Sequence, residues 1–369
     1  MRAGIAQDGR MTVPPAPTSS RPHRAARLED VVNRRIAHRL WARGWRIRIE
    51  PYTGYGAPGW VRVMARTVLS PPRPGERGPA ALAPQDEPLR SVRGWRSLAT
   101  AQVTGAVVEI RAGTQVHRVS SDRGGYVDAV VAADLPPGWH DVELAVSTGA
   151  VTTRVFVVGP QTRAGIVSDI DDTVMVTWAP RLLLAFWNTF VLDEKARRPV
   201  PAMASLYQRL LRDSPGAPVL YLSTGAWNAA PALQRFLGRH GYPAGPLLLT
   251  DWGPTNTGWF RVGAQHKRDN LRRLIREFPQ VRWLLVGDDG QRDPEIYAEL
   301  AAEQPDRVRA VAIRQLTSAE QTLAHGAPTP PPDARGARRR TTDAGVAFVA
   351  GGDGTELAEA LRRAGVDLT

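Results

Sequence analysis

The sequence predicts an α/β fold built on a parallel sheet and preceded by an antiparallel β-sandwich. Three observations carry this reading. Between residues 46 and 158, short alternating runs are separated by Gly, Pro and Ser turns. After Gly159-Pro160 the rhythm changes to apolar strands alternating with helical stretches, the order of a parallel sheet with helices on both faces. Several of those strands end in acidic or hydroxyl residues, where such sheets bind their ligands.

Taken in order, residues 1–22 are rich in Pro, Ser and Arg and read as a disordered N-terminus without the apolar core of a secretory signal. Residues 23–45 place Leu28, Val31, Val32, Ile36, Leu40 and Trp41 at helical spacing, an amphipathic helix expected to pack on its own domain. Its Arg-rich polar face leaves a peripheral membrane contact open. Residues 46–160 form the sandwich, with strands read in WRIRIEP, WVRVMARTVL, AVVEIRA, VHRVS, YVDAVVAA, HDVELAVS and VTTRVFVV. Residues 71–93 make a Pro-rich loop within it. This region has no catalytic spacing and reads as a structural or docking module.

Residues 161–325 form the parallel domain, with strands near 165–169, 218–223, 246–250, 281–287 and 308–313 and helices near 203–213, 227–239, 266–278 and 293–304. Residues 326–342 are a Pro/Arg-rich linker, and residues 343–369 a C-terminal βα unit. The GGDGT string in that unit resembles the nucleotide loop of diacylglycerol and sphingosine kinases. Only fourteen residues follow Thr355, so Asp353 or Thr355 is expected simply to cap a helix.

Composition narrows the function classes. The chain has 369 residues, 43% hydrophobic and 23% charged, as in a soluble globular protein of two or three domains. It has no cysteine, which excludes disulfides, thiolate metal sites and thiol nucleophiles. The longest strongly apolar stretch, Leu182 to Leu192, is too short to span a bilayer, so a cytoplasmic, at most peripheral, protein is expected. The net charge of +12 is carried by arginine, because Lys195 and Lys267 are the only lysines. No zinc-finger spacing or aromatic-laced basic motif supports nucleic acid as a partner.

The chemistry sits at the strand ends. The run Gly165-Ile166-Val167-Ser168 leads into Asp169-Ile170-Asp171-Asp172-Thr173. Carboxylates so placed repel one another and lose hydration unless a divalent cation compensates them. In an extended segment Asp169 and Asp171 share one side, as a nucleophile and general acid would, while Asp172 points away. A calcium loop is excluded by Val174 where Gly is needed and Pro180 where Glu is needed. The second strand ends in Ser223-Thr224-Gly225, a hydroxyl and free N–H groups suited to a phosphate oxygen or to a plain helix cap. Lys267 opens the next helical stretch, where an ammonium could hold a phosphoryl group. The fourth strand ends in Gly287-Asp288-Asp289, so Asp288 is placed to ligate the same cation, and Asp293, before Pro294, to cap the next helix and face the site.

Carboxylate pair, hydroxyl, ammonium and carboxylate follow one another in the order of the four motifs of haloacid-dehalogenase-like phosphatases. DIDDTV, LSTGAWN, the segment 236–253, His266-Lys267 and GDDGQRDPEIYAEL, together with PYTGYG at 51–56, are similar to the actin-patch-associated phosphatidate phosphatase family. The likeness runs from about residue 46 to residue 315. It implies a Rossmann-like haloacid-dehalogenase-type sheet and a Mg²⁺-dependent phosphatidate phosphatase acting through an aspartyl-phosphate. It implies Asp169 as nucleophile, Asp171 as acid and base, Ser223 and Lys267 on the phosphoryl oxygens, Thr173 and Asp293 in support, and Asp169, Asp288 and the backbone carbonyl of Asp171 on the metal. The second motif departs from the family's Ser-Asn-Ser-Pro-Trp. The aromatic stretch 178–202, with Trp178, Phe186, Trp187 and Phe190, is expected to cover the site and meet the acyl chains of phosphatidate or a related anionic lipid. A soluble phosphomonoester as substrate and a non-enzymatic membrane or protein adaptor are the alternatives.

Overall fold

The computed structural model of the protein describes residues 39–71, 102–176, 198–250, 259–325 and 334–366. The expected disordered N-terminus, most of the amphipathic helix, nearly all of the loop at 71–93 and the cover over the site fall largely outside these residues.

Seven strands, β1 (Arg46–Ala57), β2 (Gly59–Ser70), β3 (Val107–Ala112), β4 (Gln115–Ser120), β5 (Tyr126–Ala133), β6 (Gly138–Val146) and β7 (Gly149–Val157), appear where the alternating runs lie. They do not split into two layers. They form one sheet in the order β4-β3-β6-β7-β1-β2-β5, antiparallel except where β1 meets β7. A register shift between Tyr52 and Tyr55 bends β1, as a bulge does. The His117 ring lies 2.7 Å from the carbonyl of Ala132, which brings β4 at one edge to β5 at the other and nearly closes a barrel. The sandwich expectation is corrected for a plain reason: alternation shows that one face is buried, but a sandwich and a curled sheet alternate alike. Val61, Val63, Val108, Ile110, Val142, Leu144 and Val155 fill the interior.

Beyond Gly159-Pro160, β8 (Ala164–Asp169) is buried at every position. A short ribbon follows, made of β9 (Met175–Val176) and β10 (Arg198–Pro199). Then come β11 (Val219–Ala226), β12 (Leu247–Thr250), β13 (Arg282–Asp288), β14 (Val308–Arg314) and β15 (Ala347–Gly351). The sheet order is β12-β11-β8-β13-β14-β15, parallel throughout. The chain thus builds outward from β8 on one side and returns to build β13 on the other. In sheets of this order the ligand crevice lies at that reversal, beyond the carboxyl ends of the two strands, here β8 and β13.

Helices α1 (Met203–Asp213), α2 (Ala230–Arg239), α3 (Trp259–Glu277), α4 (Asp293–Glu303), α5 (Ser318–His325), α6 (Ala334–Asp343) and α7 (Gly354–Arg363) accompany the strands. In α1, Met203, Leu206, Tyr207 and Leu210 make the buried stripe expected of a helix packed on a sheet. Two expectations change. Helix α3 begins at Trp259, about two turns before residue 266. The second half of the expected linker is α6, where Ala337 and Thr341 turn inward beneath exposed arginines.

The two sheets share a core. Phe278, fully buried, packs on Tyr55 and Trp60 of the curled sheet and on Trp283 of β13, with ring centroids 5.8, 5.7 and 6.1 Å away. Because this ring belongs to both units, Phe278→Ala is expected to cost about 3–5 kcal/mol. Urea unfolding followed by tryptophan fluorescence should show the midpoint of the whole transition lowered. A shift in only one of two resolved transitions would mean that the units fold independently.

Candidate active site

Helix α3 decides where its lysine goes. Ala264, Lys267, Leu271 and Leu274 recur at helical spacing and are all buried, so Lys267 occupies a core position in mid-helix and is only 2% exposed. It does not open the helix, as the sequence suggested. Its ammonium reaches the end of β8, where Nζ donates to Asp169 Oδ1 at 2.6 Å, and the start of α4, where it donates to Asp293 Oδ1 at 2.5 Å. Asp169 is 1% exposed, and Asp288 and Asp293 are fully buried.

Asp293 was expected to cap α4. It is instead the first helical residue, no side-chain cap forms at the preceding Arg292, and its carboxylate turns to Lys267. Gly287 makes room for it, since a Cβ there would lie 2.6 Å from Asp293 Oδ2. Asp169, Asp288 and Asp293 each bring a carboxylate oxygen within 4.8 Å of the others. The group sets one ammonium against three carboxyl groups. Asp169 Oδ2 and Asp293 Oδ2 are buried and accept no hydrogen bond among the described residues. Buried oxygens left in that state fit a hard cation, so the group could hold a metal ion.

Burial drives the carboxyl of Asp169 well above the usual carboxylate range; Lys267 opposes the rise, and Asp293 and Asp171 add to it. Burial works against charge on Lys267 too, but Asp169, Asp293 and Asp288 outweigh it and hold the ammonium above its ordinary value. The neighbouring His266 is pushed down to about 4, chiefly by burial, so at neutral pH it adds no charge beside the ammonium.

Asp171 is half-buried at the mouth of the crevice. Ser223 Oγ donates to Asp171 Oδ2 at 3.0 Å and itself accepts from the amide of Gly225 at 2.9 Å. The carbonyl of Asp171 accepts from Gln291 Nε2 at 3.3 Å. Thr173 is buried, and its hydroxyl has no hydrogen-bond partner among the described residues. Asp172 takes a left-handed conformation with φ 58°. The structure therefore brings Asp169, Lys267, Asp288 and Asp293 into one buried group and sets the Asp171–Ser223 pair beside it.

Sequence reasoning missed three neighbours. Tyr207 bonds Ser168 at 2.6 Å, Gln291 holds the Asp171 carbonyl, and Arg314 holds that of Asp172 at 2.8 Å. Only Arg314 left a trace, as a charge ending the apolar run Val308-Arg-Ala-Val-Ala-Ile.

Fold and site together define a doubly wound α/β protein with a buried carboxylate–lysine group, able to hold a metal, where its first and fourth strands end. Residues 164–315 match the family model described as phosphatidate phosphatase APP1, catalytic domain. Phosphatidate phosphatase APP1 of Saccharomyces cerevisiae is 28% identical over 154 residues, which is 41% of this chain and 25% of that protein. An uncharacterized protein of Schizosaccharomyces pombe is 27% identical over 154 residues, 42% of this chain and 25% of the other. The chain thus spans about a quarter of the length of these curated relatives. Among solved structures, a carbohydrate acetylesterase from Xanthomonas citri superposes with a TM-score of 0.27 at 12% identity, over 78% of this chain and 71% of that one, a likeness too slight to bear on fold or function.

Removing the ammonium should expose the strain it relieves. Lys267→Met is expected to cost the metal-free protein about 3–5 kcal/mol near neutral pH, the usual result of breaking a buried pair. The folded pKa of Asp169 lies above its unfolded value, so its ionisation penalises the folded state above about pH 4, and the variant loses the group that limits this penalty. The deficit relative to wild type should therefore shrink on acidification toward about pH 4. Urea unfolding across that range measures it, and a deficit equal at every pH would mean that Lys267 acts through packing alone.

Proposed function

We propose that this chain is a Mg²⁺-dependent phosphatidate phosphatase of the haloacid-dehalogenase type, a phosphoric monoester hydrolase that works through an aspartyl-phosphate on Asp169. The observation that carries the reading is the buried group of Asp169, Asp288 and Asp293 around Lys267, at the strand ends where the sheet order reverses. The name of the matched family and of the yeast relative supports the substrate class.

Lys267 holds Asp169 by one oxygen, so the carboxylate stays aimed into the crevice. Asp169 attacks phosphorus, and the bond from phosphorus to the lipid oxygen breaks. The leaving oxygen takes its proton from Asp171. Water then attacks the phosphoryl group, gives a proton back to Asp171, and frees both inorganic phosphate and the Asp169 carboxylate. Ser223 orients Asp171 through its hydrogen bond, and with Lys267 it contacts the phosphoryl oxygens. Thr173 supports the loop by filling its buried side. Asp169 and Asp288 are the metal ligands we favour, with the Asp171 carbonyl or Asp293 completing the set. A bound Mg²⁺ would supply charge shielding between the carboxylate and the substrate's phosphate.

The substrate is phosphatidate or a related anionic lipid. Contact with an anionic membrane surface is supported by the exposed Arg335, Arg338 and Arg339 of α6. No helix among the described residues is long and apolar enough to cross a membrane.

Phosphate release from phosphatidate in mixed micelles, with and without Mg²⁺, tests the reading. Release should require Mg²⁺ and vanish in Asp169→Asn. Turnover of a small phosphomonoester without phosphatidate would keep the site and discard the lipid, and no turnover of either would favour an adaptor. In the same assay, Asp288→Asn should raise the Mg²⁺ concentration for half-maximal rate by at least the roughly 10–100-fold that loss of an outer-shell partner costs. An unchanged Mg²⁺ dependence would remove Asp288 from the metal.

A further inference from the structure

Arg314 lies outside the reacting group, yet its guanidinium is 3% exposed and spread over three other segments of the chain. Nη1 donates to the carbonyl of Asp172 at 2.8 Å, Nε to the carbonyl of Gly352 at 3.1 Å, and Nη2 to Glu320 Oε1 at 2.6 Å. Its own carbonyl accepts from the amide of Asp289, and the next amide, of Gln315, donates to Gly351. One side chain at the end of β14 therefore joins the acidic loop after β8, the turn after β15 and the start of α5, while its backbone holds the residue beside Asp288.

The loop it grips needs an external hold. Asp172, with φ 58°, adopts a conformation that L side chains rarely take and keep only where their surroundings impose it. Within the loop the amides of Thr173, Val174 and Met175 all converge on the Ile170 carbonyl and the amide of Asp172 donates to Met175, so its own bonds leave the Asp172 carbonyl to Arg314. A second grip comes from the same C-terminal turn. Gly354 donates its amide to Pro201, and a Cβ on Gly354 would stand 2.3 Å from the carbonyl carbon of Ala202. Pro201 lies two residues beyond the ribbon strand β10, which pairs with β9 at the far end of the acidic loop.

We propose that Arg314 is a positioning residue for Asp171, and that the turn after β15, together with Glu320, forms the frame through which it acts. This role rests on the phosphatase reading above. Glu320 and Gly352 both lie beyond residue 315, where the family match stops. The segment read from sequence as an appended βα unit thereby becomes part of the active site's support.

Hydrogen exchange and kinetics on the full-length protein test this, with Arg314→Met, Arg314→Lys and Glu320→Gln. In Arg314→Met the amides of residues 172–175 and 351–354 should exchange at least about tenfold faster, while residues 107–146 of the curled sheet keep their protection. Under the phosphatase reading, kcat on phosphatidate should fall by about a hundredfold, the scale of an ångström's misplacement, with KM little changed. Added guanidinium ion should restore part of that rate to Arg314→Met, and Arg314→Lys should recover less than the rescued variant, since one ammonium cannot span three acceptors.

Unchanged exchange at 172–175, a loss of protection spread evenly over the molecule, or full kcat alongside selective loosening would each overturn the proposal. If Arg314→Met does not fold, Glu320→Gln decides it, with the same selective pattern expected at smaller amplitude and the same results overturning it. Should the wild type prove inactive on phosphatidate, the phosphatase reading fails by itself, and the exchange pattern still decides whether Arg314 holds the loop.

Discussion

Everything at the centre of this molecule depends on one ammonium placed between two buried carboxylates. Asp169 and Asp293 offset the cost of burying the Lys267 ammonium, and Lys267 in turn limits the rise that burial imposes on Asp169. Such a pair is poor insurance for stability, because desolvation consumes much of its attraction. What it gives is position. Three elements distant in sequence, the end of β8, the middle of α3 and the start of α4, are held to one point by bonds of 2.5 and 2.6 Å. The acidic excess of that group, three carboxyls to one amine, is then a property of the fold.

The strand ends were legible because their chemistry is local. An apolar run closed by Asp169 and Asp171, or by Asp288, announces its own conflict between burial and charge. The parallel order was legible too, since strand and helix periodicities differ. The curled sheet was not, because closure depends on how β4 and β5 approach one another, and no local pattern encodes that. Lys267 was picked out by its scarcity but misplaced at a helix start. Reading Ala264, Leu271 and Leu274 with it as one stripe would have turned it inward. Asp293 was read as both a helix cap and a residue facing the site; the cap does not form, and the carboxylate bonds Lys267 instead.

Arg314 left only the trace of a charge ending an apolar run, for a third reason. Its partners are mainly backbone carbonyls, which carry no sequence signature, and they come from segments 142 and 38 residues away. A long guanidinium is the one side chain able to satisfy several such acceptors at once from a buried position. The strand-end loops of a parallel sheet are mostly made of such carbonyls, so a buried arginine at a strand end is worth reading as a tie between loops as well as a ligand for phosphate.

The curled sheet carries the same logic to the other end of α3. Glu277 closes that helix, where a negative charge is unfavourable against the helix dipole. It is held there by two residues of the curled sheet: Tyr55 donates to it at 2.8 Å, and Arg62 at 2.7 Å while also binding Asp128. Nearby, Tyr52 stacks on Trp227 with ring centroids 4.5 Å apart, and Thr53 bonds Gln234, so the segment following Ser223 is braced by the same strand. The PYTGYG stretch thus touches both the helix that supplies the ammonium and the turn that supplies the hydroxyl. The curled sheet, which contributes none of the buried acids or the lysine, braces α3 and the segment that follows β11.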